Sequence, residues 1–281
     1  MSQQETSTRD SRVSLAEERK PVRPDYTLAR FFAVRTGRLL MLVSLLAMFA
    51  ALPHSASGQD SDITNEYRVT LVTSKPLTKK LTLFAYLGVV KAPDKSVGTL
   101  YYSPPGVIYR PKPWMELWAG MFGLYNRNQN AANSWELRPL GGVKFYVPNK
   151  AKINLYNFTR YEYRFINQNH HFTTIPRLRN RLGAEIPLTQ KKAWTPKTFY
   201  ALADVEPIWR LDDKYLQLVR VRAGLGYIIN PTWRVEFIYH AEFSGGKGQP
   251  KDYTGNIWRL NFKLNLPRRG THDRRVPDID E

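Results

Sequence analysis

The chain has 281 residues, no cysteine and a formal net charge of +18. That length fits one domain, with or without tails. The absence of cysteine excludes a disulfide framework, thiolate metal ligation, a cysteine nucleophile and the lipidated cysteine of a bacterial lipoprotein. Aromatics make up 13% of residues, including 16 Tyr and 7 Trp, and Gly and Pro are scattered throughout, which is a β-rich composition.

The N-terminal region carries its own signal. Leu39–Leu52 is an apolar run preceded by Arg30, Arg35 and Arg38 and followed by small residues at Ala56 and Gly58. A basic flank, a short apolar core and a small-residue site predict a secretory signal peptide over residues 1–58, with a long polar leading region and cleavage near Gly58. The apolar run gives only about 21 Å of helix, short of the ~30 Å hydrocarbon core.

After that point the chain alternates in period two, the signature of strands. Segments are predicted at 62–73, 79–90, 98–110, 114–125 and 134–147, then two within Ile153–Leu188, then 197–209, 214–228, 233–243 and 254–266. Turn residues separate them, among them Lys75-Pro76, Pro111-Lys112-Pro113, Pro148-Asn149-Lys150 and Asn230-Pro231-Thr232. No helix is predicted after residue 58. Residues 267–281, with four acids, four arginines and two prolines, are predicted to be a disordered tail.

The polar faces of these strands carry full charges of both signs. Arg160, Glu162 and Arg164 alternate with Tyr161, Tyr163 and Phe165, and Arg177, Arg179 and Arg181 alternate with Leu178 and Leu182. The same pattern places Glu136, Arg138, Glu185, Asp204, Glu206, Arg220, Arg222, Arg234, Glu236 and Glu242 on one phase. Such residues fit the lumen of a barrel, where they can pair across neighbouring strands, while the greasy phase meets lipid. Three Arg turned to the bilayer midplane would cost roughly 6–12 kcal/mol, as much as a whole domain's stability.

Predicted export, segments of mostly 11–15 residues, alternating short and long connections, and an exported domain without disulfides together favour a membrane barrel. The expected fold is all-β: an antiparallel up-and-down transmembrane β-barrel of about 10–12 strands over residues 59–266. Bacterial barrels of this class have even strand counts. Segments two to eleven therefore read as ten spanning strands, with the first segment a periplasmic addition or a twelfth strand uncounted. Trp114, Trp194 and Trp233 beside the short turns, and Tyr125, Trp135, Phe165, Tyr215 and Phe243 near the long loops, suggest two aromatic belts.

The pieces Pro105-Gly-Val-Ile-Tyr109, Glu136-Leu-Arg138, Arg160-Tyr-Glu-Tyr-Arg-Phe165, Arg177–Leu188, Glu206 and Gly224-Leu-Gly-Tyr227 resemble an uncharacterised bacterial outer-membrane β-barrel family, domain-of-unknown-function family twenty-four ninety. The resemblance implies an outer-membrane barrel and no known activity. The last strand here is internal to the chain, a departure from barrels that end on an aromatic assembly residue.

The expected role is that of an integral outer-membrane protein, structural or a narrow pore lined by Arg and Glu. Its expected partners are outer-membrane lipid and lipopolysaccharide, the barrel assembly machinery and small anions. Nucleic acid is not expected, because the arginines alternate into strands instead of forming an exposed stripe. No cofactor, metal site or catalytic set is expected: His170-His171 lacks carboxylate support, and Gly245-Gly-Lys-Gly248 has no following helix. Two alternatives remain. One is a lipid-modifying enzyme using His240 with Glu242 and Ser244. The other is a soluble periplasmic binding barrel with its apolar face inward.

Overall fold

The structure is a computed structural model, and it describes residues 63–92, 96–128, 131–148, 153–189 and 195–267. The signal peptide, the C-terminal tail beyond Pro267 and Trp194 lie outside the described residues. Eleven strands are described: β1 (Thr64–Pro76), β2 (Leu81–Ala92), β3 (Ser96–Lys112), β4 (Met115–Asn128), β5 (Ser134–Val147), β6 (Asn154–Gln168), β7 (His171–Pro187), β8 (Thr198–Arg210), β9 (Tyr215–Ile228), β10 (Trp233–Ser244) and β11 (Asp252–Asn265). Each falls on a segment with period-two alternation, and each neighbouring pair from β1 to β11 is antiparallel.

The sheet closes on itself through β1 and β11, which run parallel over Thr64–Ser74 and Gly255–Asn265. This corrects the expected even count. The first segment is neither an addition nor one of twelve; it is a full wall strand, and the barrel has eleven. Closure removes every sheet edge, and a parallel ladder does so as completely as an antiparallel one. Parity therefore follows from the number of segments, not from the need to close.

Local chemistry sets the hairpins. Asn169 and His170 both have positive φ, 52° and 63°, as a two-residue type I′ turn between β6 and β7 requires. Thr78 Oγ1 accepts from the N–H groups of Lys80 and Leu81, and Asn230 Oδ1 accepts from those of Thr232 and Trp233. Within β3, Pro104 and Pro105, which cannot donate to a ladder, coincide with a register shift between Tyr102 and Val107.

The expected division into short and long ends is also corrected. One end carries the connections 77–80, 113–114, 148–153, 188–197 and 229–232; the other carries 93–95, 129–133, 169–170, 211–214 and 245–251. Each end has one two-residue link, and the longest connection lies at the end expected to be short. The strands simply extend through polar stretches such as Asn126-Arg127-Asn128. Ladder bonds use backbone groups, so polar composition does not end a strand.

Alternation then sorts the side chains. Leu182, Leu225 and Phe237 point outward with 57%, 57% and 52% of their surface exposed. The outward set continues round the wall through Leu87, Leu100, Leu117, Tyr161, Val205, Val221 and Trp258. Inward positions are buried or half-buried, and they include most of the charged residues of the described strands. The barrel is inside-out relative to a soluble one.

The parallel seam can be tested directly because the chain has no native cysteine. Leu71 and Phe262 are register partners on the outer face. The double substitution Leu71→Cys/Phe262→Cys is expected to form an intramolecular disulfide, seen as a mobility change on a non-reducing gel. Leu87→Cys/Phe262→Cys, one strand further apart, is expected not to; cross-linking of the second pair alone would show a ten-strand closure without β1.

Candidate functional site

Period two places the inward residues of adjacent antiparallel strands at common levels, close enough to pair. Thirteen charged residues single out the candidate site: Glu136, Arg138, Arg160, Glu162, Arg164, Arg177, Arg179, Arg181, Glu206, Arg220, Arg222, Arg234 and Glu236. All face the lumen, as do Glu185, Asp204 and Glu242; Arg164, Arg220 and Glu242 are half-buried and the rest buried.

Their connections run from strand to strand. Glu162 on β6 takes Arg160 at 2.8 Å, Arg177 at 2.7 Å and Arg179 at 3.0 Å. Arg179 on β7 turns its other edge to Glu206 on β8, at 3.1 Å from Nε and 2.7 Å from Nη2. Glu206 also takes Arg181 at 2.9 Å and lies 4.0 Å from Arg220 on β9. Arg220 continues to Glu242 on β10 at 2.5 Å. A carboxylate or guanidinium on each of five successive strands thus forms a lateral ladder around the wall. Beside it, Arg222 grips Asp204 with both Nε and Nη2 at 2.6 Å, the two-pronged geometry that only arginine provides. Glu136 is shared by Arg138 and Arg164.

Nearer the end that carries the 229–232 turn, Glu236 accepts from Tyr200 and from Asn261, and Lys263 lies 2.8 Å away. Arg234 sits over the Tyr200 ring at 5.8 Å. Asn154 donates to Glu185 at 2.8 Å. At the mouth, on the 211–214 turn, a hydrogen bond from Arg210 holds the exposed Asp212 carboxyl below the usual carboxylate range.

Several inward residues were missing from the expected set. Glu116, Lys144, Arg68, Arg259, Asn261, Lys263 and His240 are all buried. Alternation in the last two segments already put Arg259, Asn261, Lys263 and His240 on the polar phase, so that signal was available. The aromatic half of the lumen carried no such signal. Phe84, Tyr86, Ile108, Trp118, Phe122, Leu124, Leu140, Tyr156 and Phe158 form an inward apolar cluster from β2 to β6. Trp118 lies 5.2 Å from both Phe84 and Phe158, ring to ring. In β2 both faces are apolar, so alternation could not say which one turned inward. Lys144 sits at the border of the two halves, its Nζ 4.0 Å from the Tyr156 ring centroid.

The interior is therefore filled by its own side chains, rings on one side and ion pairs on the other. The set His240, Glu242 and Ser244 does not assemble as a hydrolase would need: Ser244 shares a hydrogen bond with Thr254, and Glu242 is held by Arg220. Aromatics also collect on the outer surface near the mouths, where Trp114 stacks on Phe145 at 6.2 Å and Trp135 meets Phe172 edge-on at 6.1 Å.

Removing one member of a buried ion cluster leaves its partners desolvated and unpaired, at a cost of roughly 3–5 kcal/mol. Glu162, with no exposed surface and three arginines around it, is the most sensitive member. Glu162→Gln is expected to lower the unfolding free energy of the refolded barrel by about that amount, read as a lower urea midpoint at unchanged slope. Asp212→Asn, at the exposed mouth, is expected to leave the midpoint unchanged; equal effects would show that the ladder is not structural.

No curated protein and no solved structure matches the chain. One family does. Its match covers residues 94–252, more than half of the chain, running from the start of β3 to the first residue of β11 and so containing the whole of the lateral ladder. The chain belongs to the family described as Protein of unknown function (DUF2490).

Proposed function

We propose that this chain is an integral outer-membrane β-barrel that acts as a closed, structural element of the membrane, without a catalytic role. The observation that carries this reading is the inversion of its faces. Large apolar side chains cover the outer wall while the ion pairs lie inside. A soluble monomer rarely exposes a continuous apolar surface of more than a few hundred Å², and here it encircles the wall. The strands, 12–17 residues long, exceed the ~9–11 residues needed to cross the hydrocarbon at a tilt. The outward aromatics near both mouths fit the polar–apolar boundary of a bilayer.

The soluble alternative requires the Leu, Val and Phe face to point inward, and these residues point outward. The pore alternative requires a water-filled path through a lumen that rings and ion pairs occupy. Closed barrels of this kind are expected to insert without conducting.

The tests separate these readings. The protein is expected to fractionate with outer membranes and to migrate faster on gels when unheated. In planar bilayers it is expected to insert without steady conductance; discrete open levels would favour the pore. Val221 lies mid-strand on the outer face. Val221→Arg is expected to cost roughly 2–4 kcal/mol of folding into lipid vesicles. In a soluble barrel the same exposed substitution would cost almost nothing, and that result would reject the membrane reading.

A further inference from the structure

One mouth of the barrel carries a cluster of lysines. It is the mouth with the 77–80 and 113–114 connections. Lys75 near the end of β1, Lys79 and Lys80 in the turn that follows, and Lys112 at the end of β3 are all exposed. The Arg110 N–H donates to the Lys80 carbonyl at 2.7 Å, so the two hairpins that bear these lysines stand side by side. None of the four ammonium groups has an ion-pair or hydrogen-bond partner among the described residues. No exposed acid is described at this end. The carboxylates nearest to it along their strands, Glu116, Glu185 and Glu236, are buried in the lumen, where Arg110, Asn154 and Lys263 engage them.

The opposite mouth mixes its signs. There Arg210 pairs with Asp212 and Asp213, Arg68 pairs with Glu66, and the connection that holds Lys247 ends at the exposed Asp252. The outer wall at the lysine mouth is also distinctive. Tyr109, Trp114 and Phe145 are exposed there, with Trp114 stacked on Phe145, and Leu77 stands exposed between Lys75 and Lys79. The lysines therefore begin where the apolar wall ends. Like charges gathered on adjacent hairpins repel one another, and a surface of opposite charge relieves that repulsion.

We propose that Lys75, Lys79, Lys80 and Lys112 form a docking surface for the phosphate-bearing headgroups of anionic lipid in the leaflet around this mouth. Exposed Tyr and Trp rings sit at the boundary between hydrocarbon and headgroups. Lysine stems lie along apolar surface and carry their ammonium groups one layer further out, to the level of the lipid phosphates. Headgroups in a fluid leaflet present phosphate at shifting positions. A flexible point charge suits them, whereas a site for one fixed phosphate is better made from arginine forks. The adjoining apolar wall favours a phosphate that comes with acyl chains over a free anion. This inference rests on the membrane reading above, and it adds the kind of lipid selected and the mouth that selects it.

The test places a fluorophore at Leu77→Cys in the full chain, which has no native cysteine. The labelled chain is refolded into phosphatidylcholine vesicles that contain a minor share of spin-labelled phosphatidylglycerol or, in parallel, spin-labelled phosphatidylcholine, each with its nitroxide close to the headgroup. Quenching then reports which lipid gathers at the mouth, and heat-sensitive gel mobility reports that the barrel has formed. Phosphatidylglycerol is expected to be enriched roughly fivefold at Leu77→Cys, the effect of one lysine at an anionic surface. Little enrichment is expected at Phe172→Cys, beside the opposite mouth. At about 1 M salt the enrichment should vanish. Replacing Lys75, Lys79, Lys80 and Lys112 together by Gln should abolish it without loss of the folded band. Equal quenching by the two lipids in the inserted barrel overturns this proposal alone. So does enrichment that survives the four substitutions or, if that variant does not fold, enrichment that survives high salt. Equal enrichment at both mouths reduces the effect to the net charge of the chain and also overturns it. Relief of quenching by inorganic phosphate at constant ionic strength would overturn the assignment to lipid. A chain that forms no heat-sensitive band in pure phosphatidylcholine overturns the membrane reading, and this proposal with it.

Discussion

A charge enclosed by a sheet that closes on itself has little water to turn to, so its partner must come from the neighbouring strand. This constraint shapes the whole barrel. The ladder Glu162–Arg179–Glu206–Arg220–Glu242 advances one strand per step from β6 to β10. Because side chains alternate with period two, a one-residue slip of any of these strands would turn its charges outward and strand those of its neighbours. Each stranded ion costs several kcal/mol against a total stability of about 5–15 kcal/mol. Ion pairs at the centre of the wall therefore act as a register lock. Their contribution is to specify one arrangement more than to add net stability.

The other side of the lumen is fixed by shape instead of charge. Rings from β2, β4 and β6 meet at 5.2 Å and need room to lie against the wall. Glycine provides it: a Cβ at Gly106 would fall 2.3 Å from the Phe84 ring. Gly226 gives Tyr200 the same clearance, a Cβ there falling 2.2 Å from the ring, and that clearance lets the Tyr200 hydroxyl reach Glu236. Aromatic packing and ionic pairing are thus linked through residues that belong to both.

This division explains what could be read before the fold was known. The eleven segments were legible because alternation is strict and turn residues separate them. The ionic lumen was legible because residues such as Arg160, Glu162 and Arg164 cannot face lipid at mid-strand. The aromatic half was not, because Leu83 and Phe84 give no polarity contrast by which to assign a face. Loop lengths misled for a different reason. Asn126–Asn128 look like loop by composition, yet they continue β4 because a ladder needs only backbone groups.

The closure was the least legible feature, since nothing in the local pattern of β1 or β11 reports which strand each will meet. Its partners are 191 residues apart in the chain, as in Thr70 with Asn261 and Ser74 with Asn265. These two inward pairs, unlike the Arg68–Arg259 step beside them, are neutral, hydroxyl to amide, where the antiparallel wall from β6 to β10 uses ions. The choice fits the order of events that topology imposes. Contacts of such separation form only after the intervening strands have been ordered, because loop-closure entropy must be met first. Full charges held unpaired until that late step would be exposed to desolvation without a partner. Hydroxyls and amides remain satisfied by water until the seam closes, and then exchange water for one another. The ionic ladder can set the register of the wall early because its pairs lie on adjacent hairpins. The seam can close last because charges that border it are held from their own side, Arg68 by Glu66 within β1 and Lys263 by Glu236 on β10.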